Sequence, residues 1–107
     1  MILVKFTTNS EKLFVKLHVS GHSGYEDIGK DIVCSGVTTA VYTTIGLIEK
    51  LSSGFHVDTN EEQAVIRVTI QKPNELTNTI MQNLYEILTS IAFDYPKHVK
   101  ISNINNK

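Results

Sequence analysis

DIVCSGVTTAVYTTIGLIEKL, residues 31–51, decides the architecture. Its Thr and Val residues are stiff at χ1 and lower helix propensity, and Gly36 and Gly46 lower it further. Against that, Val33, Val37, Ala40, Val41, Thr44, Ile48 and Leu51 recur at helical spacing. The stretch is also longer than any ordinary strand. The spacing and the length together predict one buried helix. Asp31 is a natural N-cap for it, and Gly54 in SSG (52–54) ends it near the C′ position.

Strand patterns lie on both sides of this helix. In ILVKFT (2–7), Ile2, Val4 and Phe6 share one face while Leu3, Lys5 and Thr7 share the other. TNSEK (8–12) is a polar turn. LFVKLHVS (13–20) then sets Leu13, Val15, Leu17 and Val19 against Phe14, Lys16 and His18, which reads as the hairpin partner of the first strand. After the helix, FHVDT (55–59) and AVIRVTIQ (64–71) form a second hairpin around NEEQ. KPNEL (72–76) opens a second helix with Asn74 as its cap and Ile80, Leu84, Ile87, Leu88 and Ile91 as its apolar face. Pro96 stops that helix, because the residue before a proline is pushed out of helical geometry. HVKISNI (98–104) is a last strand, and NNK is a polar tail. The order ββαββαβ predicts an α+β fold, a mainly antiparallel sheet with two helices packed on one face, forming a single domain over residues 1–107.

The 107 residues include 41% apolar and 20% charged side chains, the profile of an ordinary globular domain large enough to bury a core without metal or disulfides. A formal net charge of −1 sets up no overall field that would mark a nucleic-acid binder, so no direct nucleic-acid partner is expected. One cysteine excludes an internal disulfide framework and suits a reducing compartment. The N-terminus lacks a signal-peptide pattern, and no apolar stretch reads as a membrane span. The expectation is a cytoplasmic protein without a membrane partner.

The loop between the second strand and the first helix carries the unusual composition. GHSGYEDIGKDIVCSG (21–36) holds four of the six glycines and the only cysteine, with His22 just after the first glycine. If Asp31 caps the helix, Cys34 is the third residue of its first turn. Its side chain tilts back toward the helix N-terminus, near unpaired N–H groups and the positive end of the helix dipole, an environment that favours a thiolate. A thiolate is the nucleophilic form of cysteine, and histidine is its usual base. A loop that returns from a strand end to a helix packed on that strand can bring His22 and Cys34 together. Amides at the helix start, that of Cys34 included, are candidate oxyanion donors. A small buried cysteine and a solvated turn histidine would also satisfy the pattern. Zinc suits it poorly, because no second cysteine is present and zinc takes three or four protein ligands.

GHSGY at 21–25 and GKDIVCSG at 29–36 together resemble the signature of the ribosomal-processing cysteine protease family: Gly-His, a small residue, Gly-Tyr, a short insert, then Gly-x-Asp-Ile/Val-Val-Cys followed by small residues. The resemblance implies a bacterial cysteine endopeptidase, commonly a homodimer. Such an enzyme removes a short N-terminal extension from a large-subunit ribosomal protein of the L27 type. It implies Cys34 as nucleophile and His22 as general base and acid, and it brings no cofactor. Gly21, Tyr25 and Asp31 are the candidate substrate-binding residues around that pair. Tyr25 would cover an apolar residue of the peptide, and Asp31 would cap the helix. Gly21, Gly24 and Gly29 give the loop wide backbone freedom, so it is expected to order on substrate. The competing reading is a ribosome-associated module that holds such a peptide without cutting it.

Overall fold

In a computed structural model, the structure describes residues 1–22 and 31–105; Tyr25, Gly24, Gly29 and the expected ordering of their loop lie outside the described residues. Seven elements follow in the expected order. They are β1 (Ile2–Thr8), β2 (Phe14–Ser20), α1 (Ile32–Leu51), β3 (Phe55–Asn60), β4 (Val65–Ile70), α2 (Glu75–Asp94) and β5 (Val99–Asn105). The strands form one five-stranded sheet in the order β3-β4-β2-β1-β5. Three neighbouring pairs are antiparallel, and β5 closes the sheet as a parallel partner of β1. The expected α+β fold with a mainly antiparallel sheet holds, the β1–β5 pair being the parallel one.

Both helices cover the same face. Ile2, Val4 and Phe6 of β1 are buried, as their alternation predicts, and they join Val37, Val41 and Ile48 of α1 and Met81, Leu84 and Leu88 of α2 in one core. Thr44 is tolerated inside because its hydroxyl donates to the Ala40 carbonyl at 2.9 Å. Asn74 caps α2 through a reciprocal exchange with Thr77, whose N–H donates to Asn74 Oδ1 at 2.9 Å and whose hydroxyl accepts from the Asn74 N–H at 3.0 Å.

Three details differ from the sequence pattern, each for a local reason. Between Thr7↔Lys16 and Thr8↔Phe14 the β1–β2 register slips by one residue, so Val15 is bulged out of the ladder. Phe14 therefore turns inward with Leu17 and Val19 instead of facing away from them. Its backbone N–H donates to Asn78 Oδ1 of α2 at 2.9 Å. On α2 the buried stripe is Thr77, Met81, Leu84 and Leu88. Ile87 stands one residue, about 100°, away from Leu88 and is exposed. Third, α1 is long and apolar enough, by length and composition, to cross a membrane, contrary to the expectation that no stretch reaches that length. In the fold its apolar stripe packs on the sheet.

Candidate functional site

The site begins where β2 ends. Gly21 adopts φ 90°, a left-handed conformation that side chains other than glycine rarely take. Its N–H donates to the Ala64 carbonyl at 3.0 Å, tying the end of β2 to the β3–β4 turn. A Cβ built on Gly21 would overlap the Met1 carbonyl oxygen. The glycine is thus required by conformation and by space, and it sets the exit direction of the exposed His22. Gly21→Ala is expected to cost about 2–4 kcal/mol from the unfavourable φ and the backbone overlap. Denaturant unfolding checks this, and a loss below about 0.5 kcal/mol would show that the turn relaxes freely.

Cys34 comes from the opposite side of the loop, at the third position of α1. Asp31 is the N-cap the sequence predicts: its Oδ1 accepts the Cys34 N–H at 2.9 Å, and its carbonyl accepts the Ser35 N–H at 3.0 Å. Asp31 is itself buried, and Cys34 is half-buried against the core. The cap corrects one expectation. The Cys34 amide is committed to the Asp31 carboxylate in this structure, so it does not stand open as an oxyanion donor. Asp31 acts here on the helix start, whatever its part in substrate binding. Asp31→Asn keeps an acceptor at the cap and is expected to unfold within about 0.5 kcal/mol of wild type, whereas Asp31→Ala loses about 1–2 kcal/mol. Thermal melts of the two variants separate capping from charge: an equal loss in both would mean that the charge, not the acceptor, is what holds this end of the helix.

His22 and Cys34 line one cleft of about 180 Å³. Its floor is apolar, with Ile2 and Val19 from the sheet, Val37 from α1 and Ile66 from β4. Tyr42 stands on the α1 side, and Thr59, Asn60 and Glu61 form the opposite rim. Of the residues the sequence singles out, Gly21, His22 and Cys34 line this cleft; Tyr42, Ile66 and the Thr59–Glu61 rim, which it does not single out, line it as well. No local motif marks them. They arrive through the pairing of β4 with β2, which carries Ile66 beside Val19, and through the turn of α1 that follows Val37. Among the described residues, no group of three His, Cys, Asp or Glu side chains gathers as a metal site. A thiol and an imidazole on one apolar cleft are the equipment of acyl transfer to sulfur.

Comparison with known proteins points to the cysteine proteases. Residues 1–100 match the family model of cysteine protease Prp. The chain is 26% identical over 105 residues to the ribosomal processing cysteine protease Prp of Staphylococcus aureus strain Mu50, covering 95% of this chain and 98% of that protein. The crystal structure of the essential ribosomal processing protease Prp from S. aureus with a covalently linked product peptide superposes with a TM-score of 0.88 at 21% identity, covering 96% of this chain and 99% of that one. The same protease with a substrate peptide gives 0.86 at 21% identity and the same coverage. A Streptococcus mutans protein shares the fold at a TM-score of 0.85 and 18% identity, over 99% of both chains. With a family match over nearly its whole length, and a thiol and an imidazole on one cleft, the chain belongs to the cysteine protease Prp family.

Proposed function

We propose that this protein is an endopeptidase that removes the short N-terminal extension of a bacterial large-subunit ribosomal protein of the L27 type, with Cys34 as nucleophile and His22 as general base and acid. The observation that carries the reading is that these two side chains line one apolar cleft. His22 takes the thiol proton as Cys34 Sγ bonds to the scissile carbonyl carbon. The tetrahedral oxyanion collapses to a thioester, and the C–N bond breaks as His22 gives its proton to the leaving amine. Water, deprotonated by the same imidazole, then attacks the thioester and releases the acid with the thiol restored. Since the Cys34 N–H donates to the Asp31 cap, oxyanion stabilisation is assigned to other donors of the site. The apolar floor of Val19, Val37 and Ile66 favours an apolar side chain next to the cut bond. The protein is read as a homodimer, as the resemblance to its family implies, and as cytoplasmic because its one cysteine suits a reducing compartment.

The test uses the purified precursor and the full-length protein. Intact-mass spectrometry is expected to show the precursor shortened at its N-terminus and the released peptide in equal amount. A precursor that binds but keeps its full mass would instead identify a peptide-binding module.

A further inference from the structure

The helices cover only one face of the sheet, and the strand register defines what the open face presents. Lys5 pairs with His18, His18 with Arg67, and Arg67 with Asp58. In the next row Thr7 pairs with Lys16, Lys16 with Thr69, and Thr69 with His56. On the other side of the Lys5 row, Leu3 lies between Ser20 and Lys100. Directly paired residues share a face, with neighbours about 4.8 Å apart across strands and about 6.7 Å apart along them. Lys5, Lys16, Arg67 and Lys100 are therefore concentrated on one surface with two histidines. The single carboxylate in these rows, Asp58, meets Arg67 at 3.4 Å with both side chains more than half exposed. An exposed pair of that kind is weak and offsets little of the field. Lys5, Lys16, His18 and Arg67 border a common depression. Burial first, then the positive charges of Arg67 and Lys5, hold the His18 imidazole below its ordinary pKa of 6.5. The chain's net charge of −1 hides this segregation, which is why the composition alone gives no reason to expect a nucleic-acid partner.

We propose that this open sheet face binds the phosphate backbone of double-helical RNA. Its cations are set in a grid, and the hydroxyls of Thr7, Thr69 and Ser20 stand between them as donors to phosphate and sugar oxygens. No Phe, Tyr or Trp occupies these rows, and Lys5, Lys16 and Lys100 are point charges that meet phosphates rather than base planes, so the face favours backbone over sequence. Its apolar members, Leu3, Val65 and Ile104, sit separately in the rows on either side of the Lys5–Arg67 row, with Ser20 between Leu3 and Val65, and do not gather into the central apolar cluster a protein partner would need. The choice of RNA over DNA rests on the proposed function, whose substrate is a protein that itself assembles on RNA. Docking there would hold the enzyme beside its substrate while the cleft, on the covered side of the sheet, stays free to act.

Fluorescence anisotropy with a labelled RNA duplex of about 16 base pairs tests this. Four phosphate contacts predict a slope of log K on log salt of about −3.6, or roughly a hundredfold loss of affinity between about 50 and 200 mM salt. Lys5→Gln and Arg67→Gln should each reduce the slope by about one, and Lys12→Gln, on the β1–β2 turn, should not. The His18 titration midpoint, followed by NMR, should rise when the duplex is bound, because phosphates offset the field of Lys5 and Arg67. Absence of binding at the lower salt, or equal weakening by Lys12→Gln, overturns the proposal. So does equal affinity for a DNA duplex of the same sequence. Loss of a dimer in Lys5→Gln and Arg67→Gln by light scattering also overturns it, since the face would then be covered by a second copy. Cleavage of the isolated precursor by Lys5→Gln at the wild-type rate separates this result from the protease reading.

Discussion

His22→Ala is expected to lower kcat/KM for the precursor by about 10²–10⁴, the usual contribution of a positioned acid–base group. The substitution should leave the fold untouched. His22 is exposed and lies beyond the end of β2, and surface replacements of this kind change stability by about 0.5 kcal/mol or less. The loss should appear in kcat rather than KM, because proton transfer is made in the transition state and not in the bound ground state. A double variant that also lacks the thiol should be scarcely worse than the Cys34 variant alone, since the two groups act as one unit. Steady-state kinetics with circular dichroism on the same samples decides the matter. A His22→Ala enzyme within about threefold of wild type would assign the base to another residue.

The largest effect on stability is expected at Phe6. It is fully buried in the centre of β1, with the Phe14 and Tyr85 rings edge-on at 5.4 and 5.1 Å. These three side chains join β1, β2 and α2, so truncating Phe6 opens a cavity that no single element can close. Phe6→Ala should cost about 3–5 kcal/mol, against a total of about 5–15 kcal/mol for a domain of this size. The melting temperature should fall by about 15–30 °C. Leu3, three residues earlier on the open face of the same strand, is the control: Leu3→Ala should shift stability by about 0.5 kcal/mol or less. Urea unfolding of both variants tests the assignment of faces. Equal losses would mean that the helices do not cover the face that Phe6 occupies.

Much of this arrangement is legible in the sequence where a local pattern causes the structure. Ile2, Val4 and Phe6 alternate because a strand alternates, and Asp31 and Asn74 cap because their short side chains reach the third amide of a helix. His22 and Cys34 are legible as chemistry for a similar reason: the glycine loop and the helix start mark them. What was not legible depends on partners distant in the chain. The bulge at Val15 comes from the pairing of β2 with β1, and alternation within residues 13–20 cannot reveal it. The inward stripe of α2 includes Thr77 and Met81, which the expected face omits, and leaves out Ile87, which it includes, although each choice satisfies helical spacing. The cleft walls from Tyr42 and Ile66, and the basic open face, appear only once the strand order is known.

The central claim is that the Cys34 sulfur cuts the ribosomal protein precursor. Its most direct test is intact-mass spectrometry of one precursor preparation after incubation with wild type and with Cys34→Ala at equal concentration. Cys34 is half-buried and its replacement removes only a sulfur, so both proteins should be folded. The account predicts an N-terminally shortened product with wild type and an unchanged precursor mass with Cys34→Ala. Shortening of the precursor by Cys34→Ala at a rate comparable to wild type would contradict it.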